Sequence, residues 1–123
     1  MKAILVDPFN HKISEVQISR RGDDACLSDI LKYLHCDLIT SVNLGGGESY
    51  IRNVMFVSDT GLYEPPKNTG YQEFFQTKWY PDPLAGYGII VGTNYEGETV
   101  ETTLTVKEVE QAITSWSLPN FEM

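Results

Sequence analysis

Asp59-Thr60-Gly61, behind the apolar run Met55-Phe56-Val57, is the first stretch of this chain with the makings of a reaction centre. In a dimeric aspartic protease two such aspartates meet and share one proton. The threonine and glycine shape the loop that holds each carboxylate. Here the triplet leads into Leu62-Tyr63-Glu64, a second apolar-bearing run. Asp-x-Gly between two such runs is turn chemistry: Asp bonds nearby backbone and Gly accepts positive φ. We read the triplet as a turn.

His35-Cys36 is the next candidate, as a metal ligand pair or an activated thiol. The only other histidine is His11, and no second close Cys/His pair exists. We expect no metal site and ordinary cysteines. Cys26 and Cys36 flank a helical pattern, and ten helical residues separate Cα atoms by about 15 Å. A disulfide needs Cα atoms within about 7 Å, so two free thiols and a reducing compartment are expected.

Gly45-Gly46-Gly47-Glu48-Ser49 lacks the lysine of a phosphate loop and leads into a strand pattern, not a helix. Gly86, Gly88 and Gly92 miss the dinucleotide spacing and precede a strand. They read as kinks or close-packing points in a sheet. No G-x-S-x-G is present. The motifs thus point away from an enzyme, and no cofactor and no catalytic residue is expected. A hydrolase assembled from distant residues is the third-ranked reading.

The aromatic residues are the other unusual feature. Tyr71, Phe74, Phe75, Trp79, Tyr80 and Tyr87 crowd one segment. Phe74 and Phe75 sit mid-segment and are expected in the core. Lys78 precedes Trp79-Tyr80, and Pro81-Asp82-Pro83 follows them, so the chain should be leaving a packed element there. Tyr71, Trp79, Tyr80 and Tyr87 are therefore the candidate binding residues, as exposed rings at an interface or a pocket.

These residues need elements to hold them. Lys2–Asp7 and Lys12–Ser19 read as a hairpin. Leu27, Ile30, Leu31 and Leu34 recur at helical spacing. Residues 38–44 and 49–58 form a second strand pair across the glycines. Residues 71–80 are helix or irregular, stopped by the prolines. Gly88–Thr93 and Glu98–Leu104 form a third strand pair. Thr105-Val106-Lys107-Glu108 is a capping box opening a last helix, with Val106, Val109, Ala112 or Ile113, and Trp116 on one face and Pro119 ending it. The order implies α+β: a single domain over residues 1–123, with a largely antiparallel sheet and two or three helices packed on one face.

Charge and hydropathy bound the partners. The 123 residues carry a net charge of −8. Residues 82–123 hold Asp82, Glu96, Glu98, Glu101, Glu108, Glu110 and Glu122 against Lys107. No basic footprint for nucleic acid exists. Seven acids in that third are too sparse for the ordered carboxylate rows of a DNA mimic. No apolar run approaches the roughly 18 residues of a membrane span, and the first apolar run is too short for a signal peptide. A cytoplasmic protein with no direct nucleic-acid or membrane contact is expected.

The segments "MKAILVDP", "DILKYLHCDLI", "LAGYGIIVGTNYEGE" and "LTVKEVEQAI" resemble a family of small proteins of unknown function found largely in phages, plasmids and their bacterial hosts. The likeness covers most of the chain apart from residues 64–82, where the aromatic stretch is expanded. Leu84–Thr93 is its longest motif. The family brings no activity or catalytic residue. It implies an accessory protein of a mobile element, working in the host cytoplasm on a host protein. It also puts Asp59-Thr60-Gly61 where the family has a generic acidic-glycine turn. The alternative is a small-molecule binder with an aromatic pocket built around Trp79, Tyr80 and Tyr87.

Overall fold

The computed structural model describes residues 1–20, 22–44 and 50–116. The chain runs β1 (Lys2–Asp7), β2 (Lys12–Gln17), α1 (Gly22–Leu34), β3 (Ile39–Asn43), β4 (Arg52–Ser58), β5 (Phe74–Thr77) and β6 (Tyr80–Ala85). It continues with β7 (Gly88–Thr93), β8 (Thr99–Val100), α2 (Val106–Ala112) and β9 (Ile113–Ser115). The class is α+β, dominated by sheet, and every strand pair is antiparallel.

The main sheet has the order β2-β1-β7-β4-β3, with β8 also pairing β7. The expected first hairpin is present, with Asp7 opposite Lys12. Asp7 shapes its turn: one carboxylate oxygen accepts from the amides of Phe9 and Asn10, at 2.9 and 3.2 Å. The pair 39–43 with 52–58 is present too, while the Gly45-Gly46-Gly47 turn proposed between them lies outside the described residues.

The sheet is buried on both sides, because its strands alternate two apolar sets. Ile4, Val6, Met55, Val57 and Ile90 face one core; Ala3, Ile89 and Val91 face the other. Helix α1 covers the second core through Cys26, Ile30 and Leu34. Helix α2 covers the first through Val109. The two helices therefore lie on opposite faces, which corrects the expectation of helices gathered on one face. A hydrophobic stripe says that a helix must pack, and both faces of this sheet could accept one. The stripe on α1 is also rotated from the expected leucines: Cys26, Ile30 and Leu34 are buried at i, i+4, i+8, while Leu27 is exposed.

The second correction concerns residues 71–85. They hold no helix. Phe74–Thr77 and Tyr80–Ala85 pair as a hairpin, and β9 adds to β5, giving a second sheet of order β6-β5-β9. Pro81-Asp82-Pro83 lies inside β6 instead of ending the element. Phe75 pairs Leu84 and Thr77 pairs Tyr80, with a register shift between. Three residues thus stand opposite Gln76, and the prolines owe no amide to a ladder there.

Phe75 is 0% exposed and roots this small sheet on the large one. Gly88 makes room for it: a Cβ at Gly88 would stand 3.0 Å from Phe75 Cζ and 2.7 Å from Met55 Sδ. The glycines of 86–92 were expected as kinks and close-packing points. Gly86 (φ 80°) is a kink and Gly88 a close-packing point.

The expected strand 98–104 shrinks to Thr99–Val100. Side-chain bonds take over from the ladder. Buried Asn53 Oδ1 accepts from Thr102 Oγ1 at 2.6 Å and from the Thr103 amide at 3.1 Å. The capping box of α2 is complete: Glu108 N–H donates to Thr105 Oγ1 at 3.1 Å, and Thr105 N–H donates to Glu108 Oε1 at 3.0 Å. The helix ends at Ala112, earlier than expected, because Ile113 turns extended (ψ 124°) and joins β5. Trp116 follows β9 and is not on the helix. Pro119 lies outside the described residues.

Candidate functional site

Asp59-Thr60-Gly61 forms the turn after β4. Asp59 N–H donates to Leu38 O at 2.9 Å, continuing the β3–β4 ladder by one step. The amides of Tyr63 and Glu64 then both reach Thr60 O, at 2.9 and 2.8 Å, so the chain makes a single helical turn. The side chain that braces it is Ser58, whose Oγ accepts from the Thr60 amide at 3.3 Å. The turn reading thus holds with different chemistry from that expected. Gly61 does not adopt positive φ. It is small because β6 lies against it: a Cβ there would sit 3.1 Å from both Cβ and O of Ala85. Gln72 Nε2 fastens the turn from outside, donating to Gly61 O at 2.6 Å.

This turn divides two hollows. One is a groove of about 520 Å³ between β3–β4 and β6. Its walls are Val57, Leu62, Phe74, Tyr80 and Leu84, with Thr40 of β3 at one side. Leu62 is 72% exposed, a large apolar surface left in water beside the apolar wall. The carboxylates of Asp59 and Asp82 also line the groove, and its lining holds no lysine, arginine or histidine. The groove is therefore apolar in its body and negative in its charged groups.

The other hollow is a smaller cleft of about 110 Å³, below the roughly 300 Å³ at which ligand sites begin. It gathers His35, Cys36, Asp37, Ser58, Lys67 and Tyr87. Helix α1 ends here with His35 in the left-handed region (φ 51°), and Lys67 N–H donates to His35 O at 3.1 Å. Lys67 Nζ pairs with Asp37 across solvent-exposed side chains. Burial pushes the Cys36 thiol up, against a smaller pull from the Ser58 hydroxyl. Such a thiol is neutral near pH 7 and a poor nucleophile. Among the described residues no group of three or more His, Cys, Asp and Glu is placed to hold a metal ion. Neither cysteine forms a disulfide.

The four candidate rings do not share one surface. Tyr87 is 8% exposed. It packs on Phe9 with ring centroids 5.0 Å apart, lies 5.4 Å from the His35 ring, and accepts a bond from Asn68 Nδ2 at 3.0 Å. Tyr71 meets the same Phe9 edge-on at 5.4 Å and is 55% exposed. Trp79 is half-buried against the core on the opposite face of the main sheet. Tyr80, 36% exposed, is the one that lines the groove. Phe75 is core as expected, whereas Phe74 is only half-buried and contributes groove wall.

Sequence reasoning passed over Thr40, Leu62 and Asp82 as site residues. They come from three separate elements, so no spacing links them. Pro81-Asp82-Pro83 was the available signal: a strand that carries two prolines is an edge, and an edge borders something. Among the described residues no helix is long and apolar enough to cross a membrane. Compared with models of protein families, with curated proteins and with solved structures, the chain matches none.

Proposed function

We propose that this is a small acidic, non-enzymatic binding protein that acts on another protein through the groove between β3–β4 and β6. The groove itself carries the reading: about 520 Å³ with apolar walls, an exposed Leu62, two carboxylates and no cation in its lining. An exposed apolar patch with polar groups at its border is what a protein contact requires. From the sequence resemblance to phage- and plasmid-borne proteins we carry over a host protein in the host cytoplasm as the proposed partner, and an accessory role in a mobile element. Direct nucleic-acid contact has no support in a chain of net charge −8.

Affinity capture from a bacterial host lysate, run in parallel with Leu62→Glu and Tyr80→Ala, tests this. A host protein should be retained by the wild type and lost from both variants, with unchanged thermal midpoints. Equal retention by all three proteins overturns the groove as the contact. The small-molecule alternative is favoured by one observation, a groove volume within the range of ligand sites. Mass spectrometry of compounds that co-purify with the protein tests it, and a compound displaced by Tyr80→Ala would select that reading.

A further inference from the structure

The groove is bordered on one side by β3, and β3 is the outermost strand of the main sheet. Its ladder direction can be assigned. Leu44 N–H donates to Asn53 O at 3.2 Å, and Asp59 N–H donates to Leu38 O at 2.9 Å. In the register that pairs Thr40 with Val57 and Val42 with Met55, these bonds make 38, 40, 42 and 44 the hydrogen-bonded positions. The alternate residues, Ile39 and Ser41, turn their backbone N–H and C=O groups away from β4. They offer a half-ladder to any strand that lies alongside.

The other edges are closed. Strand β2 carries Lys12 and Glu15, and β6 carries Pro81, Asp82 and Pro83. Strands β8 and β9 are two and three residues long. Proteins guard edges with charges, prolines or shortness. Ile39-Thr40-Ser41-Val42-Asn43 has none of these devices. Among the described strands it is the one edge of more than three residues without such a device, and Thr40 places it on the groove.

From this we infer that β3 receives an extended, basic segment of the partner protein as an added strand. The inference rests on the groove being the binding site. A strand added about 4.8 Å from β3 turns alternate side chains toward the side on which Thr40 borders the groove. Backbone bonds to Ile39 and Ser41 hold the segment, and one apolar side chain enters beside Leu62 and Tyr80. Lysine or arginine flanking that side chain meets Asp59 and Asp82, where the groove has carboxylates and no cation. Charge also argues against a second copy of the chain, since each copy brings a net −8.

A displayed library of random nine-residue peptides, panned on the wild-type protein, supplies the probe. Selected peptides should be rich in Lys and Arg around a β-branched or aromatic residue. Ser41→Pro removes one outward N–H and leaves the bonds to β4 intact. It should weaken a selected peptide by about tenfold, as loss of a bond at a strand edge does, with an unchanged thermal midpoint. N-methylation of the synthetic peptide checks the same point without altering the protein: amides of one alternate set should be intolerant and those of the other tolerant. Asp59→Asn with Asp82→Asn should weaken binding and flatten its salt dependence.

Peptides without basic enrichment, or an N-methyl scan with no alternation, overturn the proposal. So does wild-type dimerisation that Ser41→Pro abolishes, because the edge then belongs to a second copy. If Leu62→Glu abolishes peptide binding while Ser41→Pro and the scan do nothing, the groove reading survives and strand addition falls. If no variant matters, both fall.

Discussion

Two edge strands border the same groove and are built in opposite ways. Strand β6 reads Tyr-Pro-Asp-Pro-Leu-Ala, with two prolines and a charge in its first four residues. Strand β3 reads Ile-Thr-Ser-Val-Asn, with neither. The first cannot offer a continuous row of amides, while the second can. An edge needs such protection when it is free to meet other chains. That one wall has it and the other lacks it is what directs the proposed added strand to β3 and not to β6.

The contrast depends on β6 being held in place, and Phe75 does that. Phe75→Ala should cost about 3–5 kcal/mol, read by chemical denaturation, because it leaves a cavity between Met55 and Gly88 at the root of the small sheet. A loss below about 1 kcal/mol would mean that β5 and β6 are not anchored through this ring.

The two sides of β3 should respond differently to proline. Thr40→Pro deletes an amide directed at β4 and should cost about 1–3 kcal/mol. Ser41→Pro should cost much less, since its amide points outward. Equal losses would show that the ladder is assigned the wrong way round. Thr105→Ala tests the third strand of the small sheet from a distance. It removes the cap of α2, which feeds β9, and should cost about 0.5–2 kcal/mol. An unchanged denaturation midpoint would dissociate the cap from the stability of the fold.

Asp59→Asn should change stability by less than about 0.5 kcal/mol, because Ser58 and the backbone make the turn, yet it should lower the affinity for a basic segment. Loss of a measured hydrolytic activity with the fold intact would instead make Asp59 a catalytic group. The smallest effect belongs to Glu101. The Lys2 amide and then Arg20 hold its carboxyl below the usual carboxylate range. Its contribution is present above the unfolded value and lost as pH falls through the lower folded one. Glu101→Gln should slightly flatten the acid limb of stability against pH. Its side chain is half exposed, so added salt should screen the Arg20 part of the difference and leave the part due to the Lys2 hydrogen bond.

Several parts of the molecule were legible in the sequence. The turn at Asp7–Lys12 and the capping box at Thr105 rest on neighbours in the chain, and each is present. The small sheet was not legible: its strands are short, one holds two prolines, and its partner β9 lies far along the chain. The same limit applied to the site. Tyr71, Trp79, Tyr80 and Tyr87 look like a cluster by position, yet they fall on both faces of the main sheet.

By itself, then, the sequence determined local geometry, apolar alternation and charge, since these depend on adjacent residues, on period and on composition. Only the tertiary structure decided which face each helix covers, which strands lie at the edges, and that Thr40, Leu62, Tyr80 and Asp82 meet. Strand order sets all three, and it follows from packing the whole chain around Phe75 and Gly88, contacts that no local spacing encodes.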